Sequence, residues 1–354
     1  MLLEKEIPTF PPRDDFAREI ERRVQLYFSL NNISENGNIA LYLKTGILFS
    51  VFWALYYVFV FTPLSWWPAF LVCVGLGIAV ASIGFNVMHD GAHGSYSSKK
   101  WVNEIMGHSL NFLGANVYLW KFKHNVLHHT FTNVKDHDED INVGPFMRLH
   151  PDQPRKWFHK YQHIYWVVLY PWIYFVWVYI NDFVKYFSGE IEGRRFKKMN
   201  GLQHFIFWFS KAVHVGFFII LPLCFMPFLE WCIGFLIIML TCGLTISIVF
   251  QLAHVVPKAN FPKEGEDLQA WHHHQKDATV NFATGSRLIR WFSGGLNFQI
   301  EHHLFPRISH VHYPNIRILV KKLCVEKNIA YYEYSTMLDA IIAHIVYLRY
   351  MGKA

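Results

Sequence analysis

Cysteine is scarce in this chain: Cys73, Cys224, Cys232, Cys242 and Cys324 are the only five, and no CxxC pair occurs. Four of them sit inside apolar blocks, so neither a disulfide framework nor a thiolate metal site is expected. Charged residues make up only 17% of the chain. Repeats and low-complexity tracts are lacking, which excludes a solenoid or a biased tail. No nucleic-acid motif accompanies the net charge of +7. That charge is better matched to an anionic inner leaflet, and no nucleic-acid partner is expected. The start, MLLEKEIPTFPPRDDF, is acidic and proline-rich ahead of any apolar run, unlike a secretory signal.

Apolar and aromatic residues are abundant, at 53% and 18% of 354 residues. Length alone would allow two or three domains. The apolar residues are bunched into membrane-length blocks, however, so a single membrane domain with a polar cap is expected. A spanning helix needs roughly 20 apolar residues. Blocks at about 39–61, 68–87, 205–226 and 228–253 qualify. The first pair is joined by a short Pro/Trp turn at 62–67, and the second pair is nearly continuous around Pro227. The block at 161–180 is ambiguous. Its Trp166, Tyr170, Trp172, Tyr174, Trp177 and Tyr179, with Pro171 at the middle, suit the bilayer interface.

The fold class expected is therefore an all-α integral membrane protein with four transmembrane helices, interfacial helices and a histidine-rich cap. Residues 1–38 form an N-terminal segment, 39–320 the membrane domain and 321–354 a helical C-terminal tail. Of the 33 Lys and Arg, only Lys44 and Lys211 fall within the four spans, and none falls in the two connecting turns. The positive-inside rule then makes the cap and both termini cytoplasmic.

Histidine carries the chemistry. One cluster is His89-Asp90-Gly91-Ala92-His93, the second is His124-Asn125-Val126-Leu127-His128-His129, and the third is Gln299-Ile300-Glu301-His302-His303. His254 stands alone at the end of an apolar block. Neutral imidazole is the commonest metal-binding side chain. On an α-helix His124 and His128 would share a face, with His129 about 100° round. Imidazole without thiolate suits iron, zinc or copper and disfavours magnesium or calcium. Eight candidates are too many for one four- or six-coordinate ion, so two ions are expected. An isolated histidine is usually an ordinary core or surface residue, and the remaining ones are read that way. His274, within the His272–His274 triplet, is the one kept as a possible contributor.

Ligating imidazoles usually donate their second N–H to an oxygen. Asp90, Asp136, Asp138, Asp140 and Glu301 are near the clusters in sequence and are candidates for that role, as they are for plain exposed acids. Gln299 stands where a repeat of the second cluster's pattern would place histidine. Its amide is placed to coordinate weakly, directly or through water, or to hydrogen-bond a ligand.

These motifs, HDGAH, HNVLHH and QIEHH followed by LFP, resemble the three histidine boxes of the membrane fatty acid desaturase family. The glutamine-headed third box is similar to that of front-end and related acyl-lipid and sphingolipid desaturases. The likeness covers roughly residues 39–320. It implies an O2-dependent oxidoreductase of lipid metabolism with a non-haem di-iron centre, which removes two hydrogens from an unactivated acyl chain. It implies iron ligands at His89, His93, His124, His128, His129, His254, His302 and His303, and no catalytic residue beyond them. It implies an acyl-CoA or acyl-lipid substrate. This chain shows no HPGG haem motif, so a separate electron donor of ferredoxin or cytochrome b5 type is expected. A di-iron hydroxylase or ketolase is the alternative enzyme, distinguished by product mass. A metal transporter or sensor would favour ionisable residues within the spans, which here are few.

Overall fold

The computed structural model describes residues 7–354. The first six residues, part of the expected N-terminal segment, lie outside the described residues. Helix α1 (Asp15–Asn31) begins where the Asp14 side chain accepts from the Ala17 N–H, and it ends at Asn32 with φ of 50°. Helix α2 (Ile39–Phe61) is capped by Asn38, which accepts from the Ala40 and Leu41 N–H groups. Pro63 follows, and a residue before proline is pushed out of the helical region. Helix α3 (Trp66–His93) returns through the same apolar layer.

A short amphipathic helix α4 (Lys100–Gly107) and helix α5 (Val117–Lys121) follow. Helix α6 (Trp157–Ser188), α7 (Gly201–Leu223) and α8 (Phe228–His254) complete the apolar set. Thus, among the described residues, five helices, α2, α3, α6, α7 and α8, are long and apolar enough to cross a membrane. Four match the expected blocks. The fifth, α6, is the ambiguous aromatic block, and it is uneven. A 3₁₀ turn at Tyr170–Trp172 contains Pro171, and a π turn follows at Trp177–Asn181. Proline removes one backbone donor and clashes with the preceding turn.

Helices α3 and α8 form the central pair. Gly77 allows it: a Cβ there would lie 2.7 Å from the Ile238 carbonyl oxygen. Gly243 does the same for α6 against α8, where a Cβ would overlap the Pro171 carbonyl oxygen at 1.9 Å. Small residues set such close approaches where lipid supplies no hydrophobic drive. Leu76, Ile83, Phe52 and Ile238 fill the core between α2, α3 and α8.

The polar cap is built from the remaining short helices. They include α9 (Trp271–Asp277), α10 (Gln299–Leu304), α11 (Tyr313–Glu326) and α12 (Met337–Lys353). Helix α1 packs on α11 through Ile20, Val24, Ile316 and Val320. Helix α12 buries Tyr347, Leu348 and Met351 beside Trp166 and Tyr170 of α6. Two minimal ladders accompany the helices. Strands β1 (Glu190–Ile191) and β2 (Arg194–Arg195) pair antiparallel, and β3 (Asn281–Phe282) and β4 (Glu333–Tyr334) pair parallel.

Candidate metal centre

The three histidine clusters and His254 converge at the ends of α3 and α8, where the apolar layer meets the cap. The last turn of α3 supplies His89 and His93. Gly91 is required there, because a Cβ would come within 2.6 Å of the Gly107 nitrogen at the end of α4. Gly94, at φ 77°, closes the helix. His254 is the last residue of α8, and α10 carries His302 and His303.

The second cluster departs from the α-helical expectation. Phe122–His128 is a π turn, and the His129 N–H donates to the His124 carbonyl at 3.0 Å. The i, i+5 pairing brings His129 against His124, and their Nε2 atoms lie 3.2 Å apart. π turns are inserted mostly at functional sites. Here the turn sends His124, His128 and His129 towards different neighbours.

Two subsites result. His89, His93, His124 and His302 each offer a nitrogen, all within 4.8 Å of one another. His128, His254 and His303 form a second group of the same tightness. His129 lies between them and groups with both His302 and His303. Seven of the eight rings are buried; His93 alone is partly exposed.

The hydrogen bonding leaves the inward nitrogens free. His128 donates from Nδ1 to Asp138, 3.0 Å from either oxygen. His303 donates from Nδ1 to the Gln275 Oε1 at 2.8 Å, and His302 Nδ1 is 3.0 Å from the Tyr313 hydroxyl. The Nε2 atoms of these three, together with those of His89 and His93, are buried without a hydrogen-bond partner. Both ring nitrogens of His254 and Nδ1 of His129 are likewise unpaired. Orphaned buried polar atoms are rare and call for a cause. So many inward nitrogens sharing one pocket are what bound cations would satisfy, and the residues present fit a pair of metal ions. Burial first, then mutual proximity, pushes His124, His129, His302 and His303 well below the usual imidazole range. They are therefore neutral at pH 7, the form that ligates.

The acidic candidates separate by where they point. Asp138 orients His128 and also accepts from the Asn133 and Asp140 N–H groups. Asp140 lies 3.4 Å from His128 Nδ1 and 2.6 Å from Lys123 Nζ. Burial opposes its charge, but Lys123 and His128 hold it below the ordinary carboxylate range. Asp90 faces away from the rings and accepts from the Ser309 hydroxyl at 2.7 Å and from His310 Nδ1 at 3.0 Å. Glu301 accepts from Asn281 and Tyr331, and burial pushes its carboxyl up to about 7. Those two anchor backbone segments and orient no clustered ring. His274 joins neither subsite and lies against Phe10, whereas His272 and His273 pair with Glu21 and Asp14 of the N-terminal region. Gln299 is fully buried, and both its side-chain nitrogen and oxygen lack partners. Sequence reasoning missed Gln275 and Tyr313. Gln275 directly follows the His272–His274 triplet, which was the only signal for it.

Two cavities meet the cluster from different sides. One, of about 570 Å³, touches His89 and His124 and runs between α3, α6 and α8, lined by Val80, Ala81, Leu113, Ile173, Trp177 and Phe250. Its other end reaches exposed Asn142 and Phe146. The second cavity is polar and open, about 890 Å³, and touches His93 and His129.

A sequence model described as "Fatty acid desaturase" matches residues 64–335. The chain is 36% identical over 348 residues to the sn-1 linoleoyl-lipid 6-desaturase of Arthrospira platensis, covering 97% of this chain and 94% of that one. A protein of the same description from Synechocystis is 32% identical over 98% of both chains. The acyl-lipid (8-3)-desaturase of Physcomitrium patens is 35% identical, covering 96% of this chain and 72% of its own length. The chain belongs to the fatty acid desaturase family. It is an oxidoreductase that introduces a double bond into an acyl chain.

Proposed function

We propose that this chain is a di-iron desaturase acting on the acyl chain of an intact membrane lipid. The observation that carries the reading is the convergence of eight imidazoles at the inner end of an apolar cavity. His89, His93, His124 and His302 would hold one iron, and His128, His254 and His303 the other, with His129 between. Gln299 has its amide free to join the ligands or to hold a water beside them. With O2, iron supplies the oxidising power to break unactivated C–H bonds, which acid–base side chains lack.

The protein's own work is positioning. The apolar cavity strips the acyl chain of water and holds it beside His89 and His124. Asp138, Gln275 and Tyr313 fix the rings of His128, His303 and His302. A polar wall of the cavity, running from Asp140 beside His128 out to Asn142, bears on the carrier. Its two lysines are already engaged: Lys123 with Asp140, and Lys185 with Glu139 at 2.7 Å. Glu192 adds a third carboxylate, and no arginine among the described residues lines the cavity. A polyphosphate such as that of CoA finds no free cation among these lining residues. An uncharged headgroup needs no free cation there, and Asn142, which donates to Glu192 at 3.1 Å, keeps its amide oxygen for it. The double bond is placed near the carboxyl end, in keeping with the two relatives named 6-desaturases.

Convergence also bears on topology. His128 and His254 share one subsite, so an even number of crossings lies between them. The α7–α8 hairpin supplies two, and the proline-broken α6 then lies within the near leaflet instead of crossing. Four spans with the cap and both termini cytoplasmic follow from this parity and from the placement of Lys and Arg.

The test is the fatty-acid profile, by gas chromatography and mass spectrometry, of a host expressing the chain beside its His302→Ala variant. A new unsaturated acid in lipid-bound chains of the wild type alone is expected. A hydroxylated product, or equal unsaturation from the variant, overturns the reading.

A further inference from the structure

The polar cavity on the other side of the histidines has no part in holding an acyl chain. It is open to solvent, and its walls include Asn36, Ser97, Asn103, Asn125 and Thr130. At its floor is His93, the one clustered ring that is not buried. Among the described residues, three cations line it, Lys100, Lys121 and Arg307, against a single carboxylate, Glu104. Lys121 is bound to Glu104 at 3.1 Å. Lys100 and Arg307 are exposed and have no ion-pair partner among the described residues. Trp271, half-buried in the wall, donates from Nε1 to the His129 carbonyl at 3.1 Å.

We infer that this depression is the docking site of a small, acidic one-electron carrier protein; the inference rests on the desaturase reading. The chemistry demands such a partner. Reducing O2 to two waters takes four electrons and four protons. Forming one C=C bond releases two electrons and two protons from the acyl chain. The remaining two electrons must come from outside, which a one-electron carrier supplies in two visits, and the remaining two protons from solvent. The apolar cavity is closed to a protein. The polar one offers two unpaired cations, a wide mouth, and two imidazoles at its floor, with Trp271 joined to the backbone of one of them. Complementary charge raises the encounter rate of such pairs and makes it salt-dependent.

The experiment uses the full chain in lipid nanodiscs, with an acidic plant-type [2Fe–2S] ferredoxin as probe. Zero-length carbodiimide cross-linking, read by mass spectrometry, is expected to join Lys100 to a ferredoxin carboxylate and to fade with salt. Under anaerobic stopped flow, the Lys100→Glu/Arg307→Glu double variant is expected to slow reduction of the iron-loaded protein by ferredoxin about tenfold or more at low salt. Its reduction by dithionite is expected to match wild type. Cross-links confined to other lysines, with an unchanged ferredoxin rate in the double variant, overturn the assignment. A defect that follows the anionic lipid content of the nanodisc instead of the carrier's charge also overturns it, in favour of a headgroup site. A Lys100 cross-link to a chain that takes up no reducible iron sustains the docking site and fails the desaturase reading.

Discussion

Replacing Asp138 with asparagine separates the two subsites. The carboxylate is fully buried and sits 3.0 Å from His128 Nδ1 through both oxygens. It also accepts from the Asn133 N–H at 2.9 Å and the Asp140 N–H at 3.0 Å. Asparagine preserves volume and one acceptor oxygen, so the loop over these residues can persist. What is lost is the negative charge that fixes the His128 tautomer and raises its basicity. Such outer-sphere changes typically cost 10–100-fold in metal affinity, or ~1.4–2.7 kcal/mol. His128 groups with His254 and His303, and also with His124 and Asp140, so the loss should fall mainly on the site of His254 and His303. Titrating the iron-loaded protein with a chromogenic chelator should show one ion released at correspondingly lower chelator and the other nearly unchanged. The converse change, Tyr313→Phe, removes the partner of His302 Nδ1 and should weaken the site of His89, His93, His124 and His302. Equal weakening of both ions by each variant, or no weakening by either, would refute the two-subsite account.

Other substitutions test the scaffold. Gly243→Ala forces a methyl onto the Pro171 carbonyl oxygen and should cost ~1–3 kcal/mol or more, read as a lower unfolding midpoint in detergent. Lys211 Nζ bonds to Asp182 at 2.9 Å in a buried pair; Lys211→Met should destabilise by ~3–5 kcal/mol, and adding Asp182→Asn should restore part of the loss. Gly91→Ala drives the end of α3 away from α4, and iron content should fall even though no ligand is changed. Ala81→Trp fills the apolar end of the substrate cavity and should shift the products of the expressing host towards shorter chains.

Long-period features were legible in the sequence, and short-range geometry was not. Four apolar blocks coincide with α2, α3, α7 and α8, because an apolar run of about 20 residues has the length of a bilayer core and exceeds what a small polar cap could bury. All eight histidines named from their spacing meet in one place. The α-helical reading of HNVLHH missed the π turn, since no residue type marks an i, i+5 ladder. Neighbours in sequence were poor guides to outer-sphere partners. Asp90 is adjacent to His89, yet a step of about 100° along a helix points it at Ser309 and His310. Gln275 reaches His303 from another helix, and only tertiary packing reveals that. The aromatic block of α6 satisfies both an interfacial and a spanning reading by composition, and its proline acts only through three-dimensional context.

The placement of the site answers a physical conflict. The acyl chain is soluble only in an apolar environment, whereas metal ions and carboxylates are costly there. The chain resolves this by ending α3 and α8 at His93 and His254, two of the proposed ligands, so the apolar helices would deliver substrate to a point where polar structure begins. Helix C-termini carry partial negative charge, which favours cations; α3 and α8 thereby contribute to the site as dipoles as well as through their imidazoles. Asp138 lies on the cap side, whereas Asp140, paired with Lys123, reaches the cavity wall beside His124; the rest of the wall next to His89 and His124, at Phe85, Met88 and Phe250, is apolar. An acid introduced on that lining, as in Phe250→Asp, would place charge where the substrate must pass. The layout therefore accounts for why Asp138, Gln275 and Tyr313 hold His128, His303 and His302 by their Nδ1 atoms, away from the other rings.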